Sequence, residues 1–126
     1  MMAGIQRFEE IRAWQKAREL VKAVYKLSND GQLAKDFELK NQIRGAAVSV
    51  MSNIAEGFAR KGQKEFARFL DIARGSAIEV QSLLYVALDV EYISSTKFEQ
   101  LYSLADETVC LIAKFTSYLR NSAPHI

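Results

Sequence analysis

The chain has 126 residues, 49% hydrophobic and 25% charged, with a formal net charge of +2 at pH 7. That length fits one domain over residues 1–126, and the balance excludes a disordered chain or two cores of ordinary size. The lone Cys110 excludes an intramolecular disulfide, one His and one Cys argue against a metal site, and no apolar run approaches the roughly 18 residues of a membrane span.

The first segment runs from about Phe8 to Ser28, where Trp14, Ala17, Leu20, Val21, Val24 and Leu27 recur every three or four residues as a helical apolar stripe. Asn29-Asp30-Gly31 stops it, with Gly31 free to take the left-handed conformation. A second helix is expected over about 36–56, with Asp36 as N-cap, Glu38 at the positive helix end and Gly57 just past its C-terminus. Its stripe is Leu39, Ile43, Ala46, Ala47, Val50 and Ile54. After the loop Phe58 to Gly62, a third helix over about 63–92 carries Phe66, Phe69, Leu70, Ala73, Ala77, Val80, Leu84 and Leu88. Thr96 and Glu99 read as a capping box opening a fourth helix over about 96–120, with Phe98, Leu101, Ala105, Ile112, Phe115 and Leu119 inward. Connections this short favour antiparallel neighbours, so the expected fold is all-α, an antiparallel up-down-up-down four-helix bundle.

Apolar residues are left over once that core is built. Ile72, Leu83, Val86 and Val90 lie on one flank of the third stripe, Ile78 and Tyr85 on the other, and Leu104, Leu111 and Tyr118 repeat on the fourth helix. Scattered surface apolars are normal. Two adjacent helices with the same excess favour a homo-oligomer interface. The second helix from Gly45 to Ala55 has no charge, and Glu79 is the one charge on the third from Gly75 to Leu88. Arg44 lies 16 residues before Arg60 and Glu79 lies 19 after it, so a hairpin turning there sets them at similar heights. A partly buried Arg44–Glu79 ion pair is therefore expected, since a lone buried charge is costly.

Groups for catalysis are sparse, and no catalytic residue, metal ligand or cofactor site is expected. Cys110 has no His near it in sequence, and the adjacent Asp106 and Glu107 point in different directions on a helix. Arg120 and His125 match the R-x4-H spacing of the HEPN ribonucleases, but Pro124 interrupts the motif in a tail. The cations are better organised. Residues 1–75 carry 14 Lys and Arg against 9 Asp and Glu, and residues 76–126 carry 3 against 6. Arg12, Lys16, Lys22 and Lys26 fall broadly on the outer face of the first helix, and Arg60, Lys61, Lys64 and Arg68 surround the second turn. Such patches can be merely solvated, or can neutralise phosphates without reading sequence, more effectively when an oligomer repeats them.

The stretch Gln42 to Gly57, with its Ser52-Asn-Ile-Ala-Glu-Gly57 end, continues through Arg60, Glu65-Phe66, Arg68-Phe69-Leu70, Ala73-Arg-Gly-Ser76 and Glu79. Together with Trp14-Gln-Lys-Ala17 it resembles, from about Phe8 to Leu119, the four-helix-bundle family of proteins encoded in intervening sequences of 23S rRNA genes. That family includes the accessory proteins of diversity-generating retroelements. The resemblance implies a homopentameric barrel and, for retroelement members, a basic surface that binds nucleic acid and a reverse transcriptase. The expected function is a cytoplasmic, non-enzymatic oligomeric protein associating with RNA or DNA. The alternatives are a protein-binding scaffold and, remotely, a ribonuclease using Arg120 and His125.

Overall fold

The first α-helix begins later than the expected start near Phe8. In the computed structural model, which describes residues 4–121, Phe8–Glu10 make a single 3₁₀ turn and α1 spans Arg12–Leu27. The break falls at Ile11, whose extended backbone ends the turn and whose side chain is buried. The turn sets Phe8 edge-on to Trp14, ring centroids 5.1 Å apart.

Gly31 does adopt the left-handed conformation (φ 63°), yet the chain coils at once into a short α2, Gly31–Lys35, which buries Leu33. Five residues are too few for a period to show. Asp36 caps α3, Phe37–Ala59, by accepting the Leu39 N–H at 3.1 Å, as its position predicted. Its other carboxylate oxygen accepts the Tyr92 hydroxyl at 3.0 Å.

α3 runs through Gly57 rather than stopping there, and α4, Gln63–Asp89, follows Gly62 at φ 88°. α4 ends short of Tyr92 because Glu91 turns left-handed (φ 63°). The Tyr92 N–H then reaches Ala87 O at 2.8 Å and the Glu91 N–H reaches Leu88 O at 3.0 Å, a Schellman closure built on a non-glycine residue. α5 spans Ser95–Asn121. Its cap is Ser94, whose Oγ accepts the Lys97 N–H at 3.1 Å. The expected Thr96–Glu99 box is displaced by two residues, and both of its members are exposed.

The described residues are all-α, with α3 against both α1 and α4, and α5 against both α4 and α1. Trp14, Ala17, Ile54, Phe66, Leu70, Ile112 and Leu119 fill one half of the core. Leu20, Val24, Ile43, Ala47, Val80, Leu84, Leu101 and Ala105 fill the other.

α3 and α4 approach closely at Gly57. A Cβ on Gly57 would stand 2.8 Å from Phe69 Cβ and 2.9 Å from Phe66 Cδ1, whereas a Cβ on Gly75 would face open space. Farther along the seam, Ser49 and Ser76 hydroxyls meet at 2.9 Å, and Asn53 Nδ2 donates to Ser49 O and Oγ at 2.8 and 3.0 Å.

Gly57→Ala should therefore destabilise the fold by about 1–2 kcal/mol in urea unfolding, overpacking outweighing a helix-propensity gain of about 1 kcal/mol. A second expectation concerns pH. The hydrogen bond to Asp36 raises the Tyr92 phenol above its ordinary value. That stabilising contribution is complete below the unfolded phenol's pKa of about 10 and is lost as pH rises through the higher folded value. Tyr92→Phe should flatten the alkaline limb of the stability profile.

Candidate nucleic-acid interface

The turn between α3 and α4 gathers the tightest group of cations. Phe69 is held against Gly57, so its ring lies at the edge of the seam with faces left for the guanidinium groups of Arg60 and Arg68, 5.1 and 4.7 Å from the ring centroid. Each arginine also has a carboxylate partner. Arg60 Nη2 lies 2.9 Å from Glu56, and Arg68 makes a two-pronged contact with Glu65 at 3.0 and 3.3 Å. These pairs are exposed, a class worth about 0–1 kcal/mol, so they orient the guanidiniums without locking them. The hydrogen bond from Arg68 holds the Glu65 carboxyl below its usual range. Lys61 and Lys64 are exposed and enter no ion pair among the described residues. The sequence located all four cations; it placed Phe69 in the apolar stripe of the third helix rather than among them.

The α1 cations are not a patch of the same kind. Lys16 is three-quarters buried and bridges Glu19 at 3.5 Å and Glu107 of α5 at 3.3 Å. It therefore holds the α1–α5 seam, and its ammonium pKa is raised chiefly by the hydrogen bond to Glu107. Arg12, Lys22 and Lys26 are exposed and enter no ion pair among the described residues, but Arg12 and Lys26 are 14 residues apart, about 21 Å of helix. Lys26 stands at the opposite end of the molecule from the α3–α4 turn, beside the start of α5.

Arg44 does not pair with Glu79. Its Nε donates to Ser28 Oγ at 2.7 Å, its Nη2 reaches Tyr25 O at 3.4 Å, and its guanidinium lies 4.3 Å from the Tyr25 ring centroid. Glu79 is exposed. The expected heights were sound. Five residues before Ser49 is Arg44 and five after Ser76 is Gln81, about 3 Å along the axis from Glu79. The azimuth was not sound, because those five residues rotate Arg44 about 140° from the face that meets α4, toward α1. Buried Ser28, which also donates to Val24 O at 2.7 Å, is the partner that sequence spacing missed.

Residues 9–114 match the 23S rRNA-intervening sequence protein family. The chain belongs to that family. Comparison with curated proteins finds no match. Among solved structures it is similar to a protein of unknown function from the S23 ribosomal protein family of Bacteroides thetaiotaomicron, at a TM-score of 0.76 and 24% identity, covering 82% of this chain and 97% of that one. At that identity the likeness speaks for the fold.

In this family member the leftover apolar residues fall into three strips rather than one. Leu83, Val86 and Val90 line a shallow groove with Leu39 and Gln42 of α3, on the flank that also carries exposed Ile72. Ile78 and Tyr85 lie on the other flank, where Tyr85 meets Phe98 and Tyr102 of α5. Leu104 faces Ala23 and Leu27 of α1, and Leu111 packs on the core, so both are half-buried, while Tyr118 stacks on Phe115 and is exposed. Arg120 pairs with Asp71 at 2.6 Å; His125 lies outside the described residues. Cys110 is exposed. No helix among the described residues is long and apolar enough to cross a membrane.

Arg44→Ala should cost about 1–2 kcal/mol in thermal or urea unfolding, because it strips a charged donor from buried Ser28 and uncovers Tyr25. Glu79→Ala should stay within about 0.5 kcal/mol of the parent. Equal losses would revive the ion pair.

Proposed function

We propose that this chain is a non-enzymatic, homo-oligomeric binding protein that associates with nucleic acid through the α3–α4 turn. The observation that carries the reading is the turn itself: Arg60 and Arg68 held on the Phe69 ring beside unpaired Lys61 and Lys64. Orienting the guanidiniums in advance reduces the ordering entropy that phosphate contacts would otherwise lose. The description of the Bacteroides protein as belonging to a ribosomal protein family makes RNA the first nucleic acid to test.

The finer architecture proposed is an antiparallel up-down-up-down bundle assembled as a homopentameric barrel. Supporting the topology, Ser49–Ser76, Gln81–Asp106 and Lys16–Glu107 contacts each join neighbouring helices in opposite chain order with the core pairs around them. Supporting assembly, the outward strip of α3 and α4 holds Gly45, Val48, Ser52, Ile72, Gly75 and Val86, all exposed, with open space over both glycines. A ring would repeat the basic turn around its axis. A retroelement-linked setting would add a reverse transcriptase as partner. The ribonuclease alternative rests on Arg120 and His125; retained cleavage activity in His125→Ala would dispose of it.

Single-stranded RNA should be retarded at low salt, with a slope in log K against log salt of about −3 for four phosphate contacts per site. Replacing Arg60, Lys61, Lys64 and Arg68 by Glu should abolish retardation while leaving the helical content unchanged. Glu56→Gln with Glu65→Gln, which frees both arginines, should tighten binding several-fold, by about 1 kcal/mol. No retardation of any RNA or DNA at low salt would leave the scaffold reading in its place.

A further inference from the structure

The acidic half of the chain has a location, and it is aromatic. On the α4–α5 face Tyr85 lies 4.8 Å from Phe98 and 5.8 Å from Tyr102 by ring centroid, and Phe98 lies 5.4 Å from Tyr102. None of the three is buried, and Tyr85 is 50% exposed. Ile78, two helical turns from Tyr85 on the same flank, is 44% exposed.

Carboxylates surround these rings. Asp89 stands one turn past Tyr85, Glu99 one turn before Tyr102, and Asp106 one turn after it, where it accepts a 3.4 Å hydrogen bond from Gln81. Asp89, Glu99 and Asp106 enter no ion pair among the described residues. Cations are sparse here: there is no Lys or Arg between Gly75 and Ser94 and none between Phe98 and Ala113, while Lys97 lines the α1 side of α5 with Lys26, and Arg74 stands one turn before Ile78.

Several other rings are treated differently. Tyr25, Phe37, Phe69 and the buried Trp14 each carry one of the chain's own cations on a face, from Arg44, Lys40, Arg60 with Arg68, and Arg18, while exposed Tyr118 stacks on Phe115. The Tyr85 group carries none. An exposed aromatic surface with unpaired carboxylates around it attracts cations twice over, through the negative ring faces and through charge. The same carboxylates repel phosphate, so base stacking by RNA is disfavoured here although the rings alone would permit it.

We propose that the Tyr85–Phe98–Tyr102 face docks an arginine-rich or lysine-rich segment of a partner protein. It stands apart from the basic α3–α4 turn, so one subunit can hold nucleic acid at its basic turn and a basic protein segment on its α4–α5 face. On this reading Ile78 and Tyr85 belong to partner contact rather than to self-association.

The test uses the full chain and a fluorescein-labelled nine-residue peptide alternating Arg and Gly, followed by anisotropy at moderate salt. Saturable binding is expected, weakened about tenfold or more by Tyr85→Ala. The surface charge reversal Asp106→Lys, which leaves the aromatic group in place, should weaken it comparably, and the Glu substitutions of the basic turn should leave it unchanged. Four results would overturn the proposal. These are absence of saturation, an affinity equal to the parent's in either variant, loss of RNA retardation in Tyr85→Ala, which would make the face a base-stacking surface, and a lower assembly mass in Tyr85→Ala, which would make it a contact between copies.

Discussion

The α3–α4 seam is the contact on which the rest of the arrangement depends. Gly57 has no side chain where one would meet both Phe66 and Phe69, so the two helix backbones draw together at the turn end. The Ser49–Ser76 hydrogen bond then fixes their register in the middle. Phe66 can be fully buried against Phe58 and Phe115 only because that approach is close. Phe69, one turn-edge farther out, is left with its ring faces toward Arg60 and Arg68. A single missing Cβ thus connects core packing to the placement of the surface cations.

Charge in this protein is managed locally rather than by net balance. Each arginine at the turn has both a carboxylate and an aromatic partner, which keeps the basic surface ordered but partly neutralised. Lys16 goes further and joins α1 to α5 through Glu107. Around the Tyr85 group Asp89, Glu99 and Asp106 enter no ion pair among the described residues, whereas Asp71, farther along the same two helices, pairs with Arg120. The small net charge of +2 therefore conceals two surfaces of opposite character at different places on one bundle. Attraction at either depends on the local field, not on the total.

Helix ends show the same economy of local chemistry. Asp36 uses one carboxylate oxygen on the α3 N-terminus and the other on the Tyr92 hydroxyl, so the start of α3 and the chain just past α4 are tied by one side chain. Glu91 sits in a conformation that glycine would occupy more easily, and the Schellman hydrogen bonds to Ala87 and Leu88 hold it there. Such closures decide where the chain turns, and so where the α4–α5 rings come to lie relative to one another.

The apolar periods of Trp14 to Val24, Leu39 to Ile54, Phe66 to Leu84 and Leu101 to Leu119 determined the all-α class and most core residues, because period 3.6 is a property of neighbouring residues alone. The Asp36 cap and the left-handed Gly31 were legible for the same reason. The candidate turn was half legible: its cations were visible, but the role of Phe69 depends on Gly57 across the seam, 12 positions earlier. Only the tertiary structure decided the partner of Arg44, since height along a helix follows from counting residues whereas direction around it follows from which neighbours pack on either side. For the same reason only tertiary structure half-buried Leu104 and Leu111 and set Tyr85 against Phe98 and Tyr102.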